Sequence, residues 1–498
     1  MTASDPFWQG LFGSEYWLAR FAFQRGLAFI YLIAFLVAFN QFRPLLGERG
    51  LLPVPQFLKF VNFRRAPSIF HFFYSDNFVD GVSLAGILLS IVALTSLSER
   101  GPLWISIAVW SSLYVLYLSI MNVGQTFYGF GWESMLLEAG FLAILLGSNR
   151  MAVPVPIIFL LRWMLFRVEF GAGLIKLRGD PCWRNLTCLN YHHETQPLPN
   201  PLSSYFHHLP NSFHKLEVLG NFAVQLVVPW GLFFPQPIAG ISGALMILTQ
   251  MWLFISGNYS WLNVLTMLLA VSSFTNAQLH AVVRVQIPGV LASPAAYEWV
   301  IVVFTAVVIV LSYWPVHNML SRRQLMNTSF NPYHLVNTYG AFGSVTKVRY
   351  EIVIEGTEAE EVGEQTAWRE YEFKAKPGNP KRRPPQIAPY HLRLDWLMWF
   401  AAMSPVYNYI EHPWFIIFIQ KLLENDRSTL KLLAGNPFPH GPRIIRARLY
   451  RYRFATAKER RETGQWWVRL LAGEYLPPVS IGAGDSRIGA RAGGVRLG

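Results

Sequence analysis

Long apolar runs broken by short polar turns fill the first two thirds of the chain. A helix crossing a membrane needs about 20 predominantly apolar residues to span about 30 Å of hydrocarbon. Residues 20–42, 81–98, 101–120, 132–146 and 151–177 meet or approach that length. Between residues 218 and 283 there is no Asp, Glu, Lys or Arg, and Pro235-Gln236-Pro237 and Gly257-Asn258 divide this stretch into about three further spans. A last run covers residues 299–314. The pattern predicts a polytopic α-helical membrane protein of about eight or nine transmembrane helices.

From Arg322 onward the pattern changes, and no further charge-free run is long enough to cross a bilayer. "VTKVRYEIVIEGT", "WREYEFKAK", "RIIRARLYRYRFA" and "QWWVRLLAGEYLPP" alternate polar and apolar residues with the period of strands. Between them "DWLMWFAAMSP" and "PWFIIFIQKLLEND" read as helices too short to span, belonging to a domain core or lying on the membrane surface. The expected organisation is a helical membrane domain over residues 1–320 with an interface loop at 177–214, and a C-terminal strand-rich α+β extramembrane domain over 321–478. The Gly-, Ala- and Arg-rich tail, 479–498, is expected to be disordered.

Composition agrees with a bilayer environment: 52% of residues are apolar and only 14% are Asp, Glu, Lys or Arg, against roughly 25% charged in ordinary soluble domains. The net charge of +13 beside apolar spans points to anionic lipid headgroups, and without an accompanying motif it does not indicate nucleic acid. The N-terminus has acids and aromatics where a secretory signal has a basic region and an apolar core, so the first span is expected to be retained.

Ionisable groups inside apolar spans are costly and each requires a partner, a watery cavity or a function. Arg162, Glu169 and Lys176 recur at intervals of seven, along one slowly drifting face of the fifth span, with Arg167 to the side. Gly171 and Gly173 lie between them and permit close approach of another helix or a ligand. Glu133 and Glu138 on the preceding span are the natural counter-ions. Two accounts fit: an ion-pair cluster that fixes helix packing, or a site in which a desolvated Lys176 acts as a base with Glu169 beside it.

Directly behind Lys176 comes "KLRGDPCWRNLTCLNYHHETQPLPNP", which holds both cysteines of the chain. A metal set of Cys182, Cys188, His192 and His193 misses the usual Cys-x2-4-Cys spacing, and adjacent histidines do not easily share an ion. A Cys182–Cys188 disulfide, two reduced structural thiols and a reactive thiol near Arg178, Arg184 and the histidines all remain open. The prolines and aromatics predict a rigid, mainly extended loop at the headgroup level.

"GAGLIKLRGDPCWRNLTCLNYHHETQPLPNP", "RPLLGERGLLP", "LLEAGFLAILL", "NPYHLVNTYGAFGSVTKVRYE", "PQIAPYHLRLDWLMWFAA" and "NPFPHGPRIIRARLYRYRF" resemble the lipase maturation factor family. The likeness extends to about Pro478 and makes Arg178, Asp180, Cys182, Trp183, Cys188, His192, His193, Glu194, Gln196 and Pro197 the signature loop. It implies a chaperone-like maturation factor, not an enzyme, that assists the folding and assembly of a secreted client such as a lipase. It further implies an endoplasmic reticulum membrane in eukaryotic members and the plasma membrane in a bacterium. "GLIKL" with Trp183 is similar, over a dozen residues, to the transmembrane superfamily containing the vitamin K-dependent gamma-glutamyl carboxylases. That likeness implies the alternative, an intramembrane enzyme or lipid- or quinone-binding protein with Lys176 as base. Neither reading calls for a resident metal or another cofactor, and the expected partners are membrane lipids and the client, not nucleic acid.

Overall fold

The computed structural model describes residues 10–282, 284–481 and 488–490. Six helical segments among them are long and apolar enough to cross a membrane. They are α1 (Trp17–Leu46), α2 (Asp76–Leu94), α3 (Leu103–Asn122), a span over Asn211–Phe233, another over Ile238–Ser256, and one over Ala295–Leu320. Two helices of the packed interior fall outside this set. α4 (Gly131–Ile144) has only 14 residues. α5 (Val155–Arg178) has the length but carries Arg162, Arg167, Glu169, Lys176 and Arg178. The structure thus gives six spans by length and composition, and the expected eight or nine are not reached on those criteria.

Burial sorts these helices in the sense a bilayer demands. On the last span only 17% of the most apolar window is buried, and Val303, Ile309 and Val310 face outward. α5 is the opposite: Arg162, Arg167, Glu169 and Lys176 are all buried, so this helix turns its charges into the protein. Lipid solvates Leu and Val, whereas charges find partners only inside protein.

Behind α5 the loop 177–214 is not mainly extended. It folds into short helices, α6 (Pro181–Arg184), α7 (Leu189–Thr195) and a further turn at Ser203–His207, before the next span opens with α8 (Asn211–Phe222). That span changes to a π turn at Ala223–Val227 and a 3-10 turn at Val228–Phe233, where Pro229 removes a backbone donor. α9 (Ile238–Ser256) returns against it, α10 (Leu262–Ala270) packs on α9, α5 and α1, and α11 is the helix Ala295–Leu311 of the last span.

The C-terminal domain is built on a five-stranded antiparallel sheet. Its strands are β1 (Arg349–Thr357), β2 (Arg369–Glu370), β3 (Ile444–Phe454), β4 (Trp467–Ile481) and β5 (Ile488–Ala490), in the order β2-β1-β3-β4-β5. Two helices, α12 (Arg393–Ala401) and α13 (Pro413–Leu423), bury Trp396, Leu397, Trp414, Phe415 and Phe418. Two expectations are corrected. Of residues 368–376 only Arg369–Glu370 form a strand, because the Ala375 and Lys376 amides donate to the Asp395 carboxylate (2.6 and 3.0 Å) and not to a neighbouring strand. Residues 479–481 belong to β4, and 488–490 pair with them, so the expected disordered tail does not begin at 479; residues 482–487 and 491–498 lie outside the described residues.

The two parts share one aromatic seam. Trp396 meets Phe130 and Trp132 at ring-centroid distances of 5.7 and 5.0 Å, and Trp414 meets Phe127 at 6.0 Å. A fragment beginning at Ser321 would leave this face in water, so it is expected to aggregate without detergent; elution of that fragment as a monomer in size-exclusion chromatography would contradict the packing.

Candidate functional site

The loop behind α5 is fixed at several points. Cys182 and Cys188 are joined in a disulfide with Cα atoms 4.8 Å apart, and both pack with Trp183, Val218 and Val345 in a small core. Asp180 caps α6 by accepting from the Cys182 amide at 2.9 Å. The Trp183 indole donates to the Phe342 carbonyl and the Asp180 amide to that of Gly343, each at 2.8 Å. A Cβ on Gly179 would collide with the Gly343 carbonyl oxygen, and one on Gly171 with that of Tyr339, so both glycines admit the linker 339–343 against α5. Arg178 donates to the carbonyls of Met319 and Ser321 and to Gln324, clasping the end of the last span.

Lys176 lies beneath the Trp183 ring, its Nζ 5.1 Å from the ring centroid. It donates to Asn221 Oδ1 and Gln225 Oε1, each at 2.9 Å. Neither Glu169 nor Glu138 forms an ion pair with it; Gln225, projecting from the π turn, stands between, donating through Nε2 to Glu169 at 3.1 Å. Gln250 donates to the other Glu169 oxygen at 2.7 Å and accepts from Asn263. Arg162 has carbonyl partners instead, on Ser272 and Leu232. Arg162, Glu169 and Lys176 therefore all face residues 221–272. Arg167 turns away from them to an ion pair with Glu138.

The two carboxylates of α4 each receive a segment from beyond the membrane spans. Glu138 accepts from the Asn337 amide at 2.9 Å, from its side chain at 3.0 Å and from the Tyr339 hydroxyl at 2.8 Å, and Arg167 also donates to the Asn337 carbonyl. Glu133 does not serve α5. Its partner is Arg393, fully buried at the head of α12, at 2.8 Å, with a further bond to the Phe127 carbonyl at 2.7 Å and the Tyr128 ring 3.4 Å from the guanidinium. Gln41 of α1 accepts from the Arg393 amide and donates to the His391 carbonyl.

His391 sits 3.7 Å from Glu133, beside Arg393, among the rings of Phe130, Trp132, Trp261 and Trp396. Burial pushes its pKa down to about 4, against the pull of Glu133. Burial likewise works against the Arg393 charge, but Glu133 and the Tyr128 and Tyr117 phenols outweigh it and raise the guanidinium pKa.

The second half of the loop is a latch for the sheet. Arg349 at the start of β1 donates to the carbonyls of Glu194, Gln196 and Pro197 at 2.9, 2.5 and 3.0 Å and pairs with Glu351, which Lys376 also contacts at 2.8 Å. The Glu194 carboxylate accepts from the Phe454 amide at 2.7 Å. Gln196 donates to Ser203 and the Ser256 carbonyl, and Asn258 bonds Pro199 on one side and residues 385–388 on the other. His192 bonds the Tyr259 hydroxyl at 2.9 Å. The set of two cysteines and two adjacent histidines is thereby excluded as a metal centre, since the sulfurs are bonded to each other and His192 is engaged elsewhere.

Chemically, this is an arrangement of ion pairs and hydrogen bonds that joins three elements: α5, the loop behind it, and the C-terminal domain. A cavity of about 410 Å³ opens between residues 345–350 and Trp399, Ala402 and Met403, and its lining includes neither Lys176 nor Glu169. Sequence reasoning missed Gln41, Gln225, Asn337, Arg349 and Arg393. Only Arg393 carried a signal, a lone arginine opening the apolar "RLDWLMWF".

The family model of the lipase maturation factor transmembrane domain matches residues 18–281, and that of the lipase maturation factor C-terminal domain matches 335–477. Lipase maturation factor 1 of Bos taurus is 41% identical over 93% of this chain and 89% of its own length. The Homo sapiens protein of that name is 42% identical over 94% and 88%, and lipase maturation factor 2 of Xenopus laevis 30% over 94% and 83%. No solved structure matches the chain.

Removing one member of a buried ion pair costs about 3–5 kcal/mol because the other charge is stranded. Arg393→Met is expected to lower the thermal unfolding temperature in detergent strongly, and Arg393→Met with Glu133→Leu to recover part of the loss; a double variant no better than the single would deny the pairing. His391 and His334 (pKa about 4, also lowered by burial) have folded values below the ordinary 6.5. The unfolded chain therefore binds more protons, and stability should be full above about pH 6.5 and fall as pH drops toward 4. Unfolding temperatures at pH 8, 6 and 5 check this, and His391→Gln should flatten the slope.

Proposed function

The chain belongs to the lipase maturation factor family, and we propose that it is a membrane-embedded factor that assists the folding and assembly of secreted lipases. The observation that carries this reading is the extent of the likeness: it covers the helical and the strand-rich part alike, not a motif within one of them. α4, α5 and the Leu262–Ser273 segment lie in the bilayer with the six apolar spans, bringing the embedded helices to about nine. The strand-rich domain is the client-facing part. In a eukaryotic cell it stands in the endoplasmic reticulum lumen, in a bacterium outside the plasma membrane. The Arg349 and Arg393 contacts hold this domain against the loop behind α5 and the membrane helices. The role is non-enzymatic: Lys176 is covered by Trp183 and occupied by two amide oxygens, which supports a structural part for it.

The test is the specific activity of a lipase secreted from cells that lack their own family member and express this chain. Lys176→Met leaves the oxygens of Asn221 and Gln225 unpaired, at a cost of about 1–3 kcal/mol. Protein stability and secreted lipase activity should fall together. A Lys176→Met protein as stable as the parent but wholly inactive would overturn the structural role and favour catalysis.

A further inference from the structure

One cluster has no part in the contacts above. His193 on α7 is buried, yet neither of its ring nitrogens has a hydrogen-bond partner among the described residues. An imidazole removed from water without a partner is costly, and a bound ion would offset that cost. Facing it from α8 are His214, also buried, and Glu217, one turn further along the same face. One donor atom of each of the three lies within 4.8 Å of the others. His214 Nδ1 and Glu217 Oε2 are hydrogen-bonded at 3.0 Å; an ion would take the place of the proton between them, since two ligands at about 2.0–2.1 Å on one tetrahedral ion stand roughly 3.3 Å apart.

The groups behind these donors are those a metal site needs. The Trp252 indole donates to the other Glu217 oxygen at 2.6 Å, and His214 Nε2 faces the His207 carbonyl at 3.5 Å. Outer contacts of this kind fix the tautomer and turn Nδ1 and Oε2 toward a common point. His193 is held from the sides by the rings of Phe206 and His214, at 5.6 and 5.7 Å.

We propose that His193, His214 and Glu217 form a binding site for a divalent transition-metal ion, with zinc the expected occupant. Two imidazoles and one carboxylate match zinc's ligand preference and leave a fourth position for water. The ion ties α7, which carries the latch residues Glu194 and Thr195, to the head of a membrane span; Thr195 accepts from Trp399 of the C-terminal domain. Sequence reading weighed a metal only at Cys182, Cys188, His192 and His193 and expected none; His214 and Glu217 lie 21 and 24 positions beyond His193 and carry no recognisable spacing with it.

The test uses the full chain in detergent, stripped with a chelator and titrated with zinc, with cobalt as a spectroscopic substitute. One zinc per chain, a raised unfolding temperature on its addition, and the visible absorption of a tetrahedral cobalt centre are expected. His193→Ala should weaken zinc binding by more than about 100-fold, and Trp252→Phe, which removes only the outer donor, by about 10–100-fold. If His193→Ala fails to fold, the wild-type cobalt spectrum and the Trp252→Phe titration decide. No zinc uptake by the wild type overturns the proposal, as does uptake that His193→Ala, or in its absence Trp252→Phe, leaves unchanged.

Discussion

A carboxylate enclosed among apolar helices needs a cation or donors to replace its lost hydration, and Glu133 has no cation on the neighbouring membrane helices. The counter-charge comes from Arg393, some 260 residues further along. Separating them would strand a charge in a medium of low dielectric, where its hydration cannot be replaced. The pair thereby ties the strand-rich domain to the membrane bundle. Glu138 repeats the device on the next turns of α4, with Arg167 as cation and the buried Asn337 as clamp.

Around that constraint the loop behind α5 acquires its meaning. Its polar residues are directed inward, to Arg349, Asn258 and the ends of α9, and its disulfide and indole close the site over Lys176. The amide of Gln225, presented by the π turn, accepts from Lys176 and donates to Glu169. An amide is the side chain able to serve an ammonium and a carboxylate at once, having a strong acceptor and a strong donor on one carbon. The lysine and the glutamate are thereby coupled without touching.

Much of the architecture was legible because its determinants are local. Apolar run length located most of the spanning helices, and alternation located β1, β3 and β4, since lipid and sheet burial impose periods on neighbouring residues. Legibility ended where long-range contacts decide. The strand expected over 368–376 lost its pairing to Asp395. The loop expected to be extended became three short helices, α6, α7 and Ser203–His207. The fifth span proved too charged to count by composition, yet its intramembrane charges are all buried.

By itself the sequence determined that the chain lives in a membrane, that a second domain follows, and that the charges of α5 and the loop behind it must be accounted for. These follow from composition and spacing, which bear the cost of burying charge wherever the chain goes. Only the tertiary structure decided the partners: Arg393 for Glu133, Gln225 between Lys176 and Glu169, Arg349 on the latch, His214 and Glu217 facing His193. A sequence records which groups need a counterpart, but the counterpart is chosen by proximity in three dimensions, and the selecting residues lie tens to hundreds of positions away.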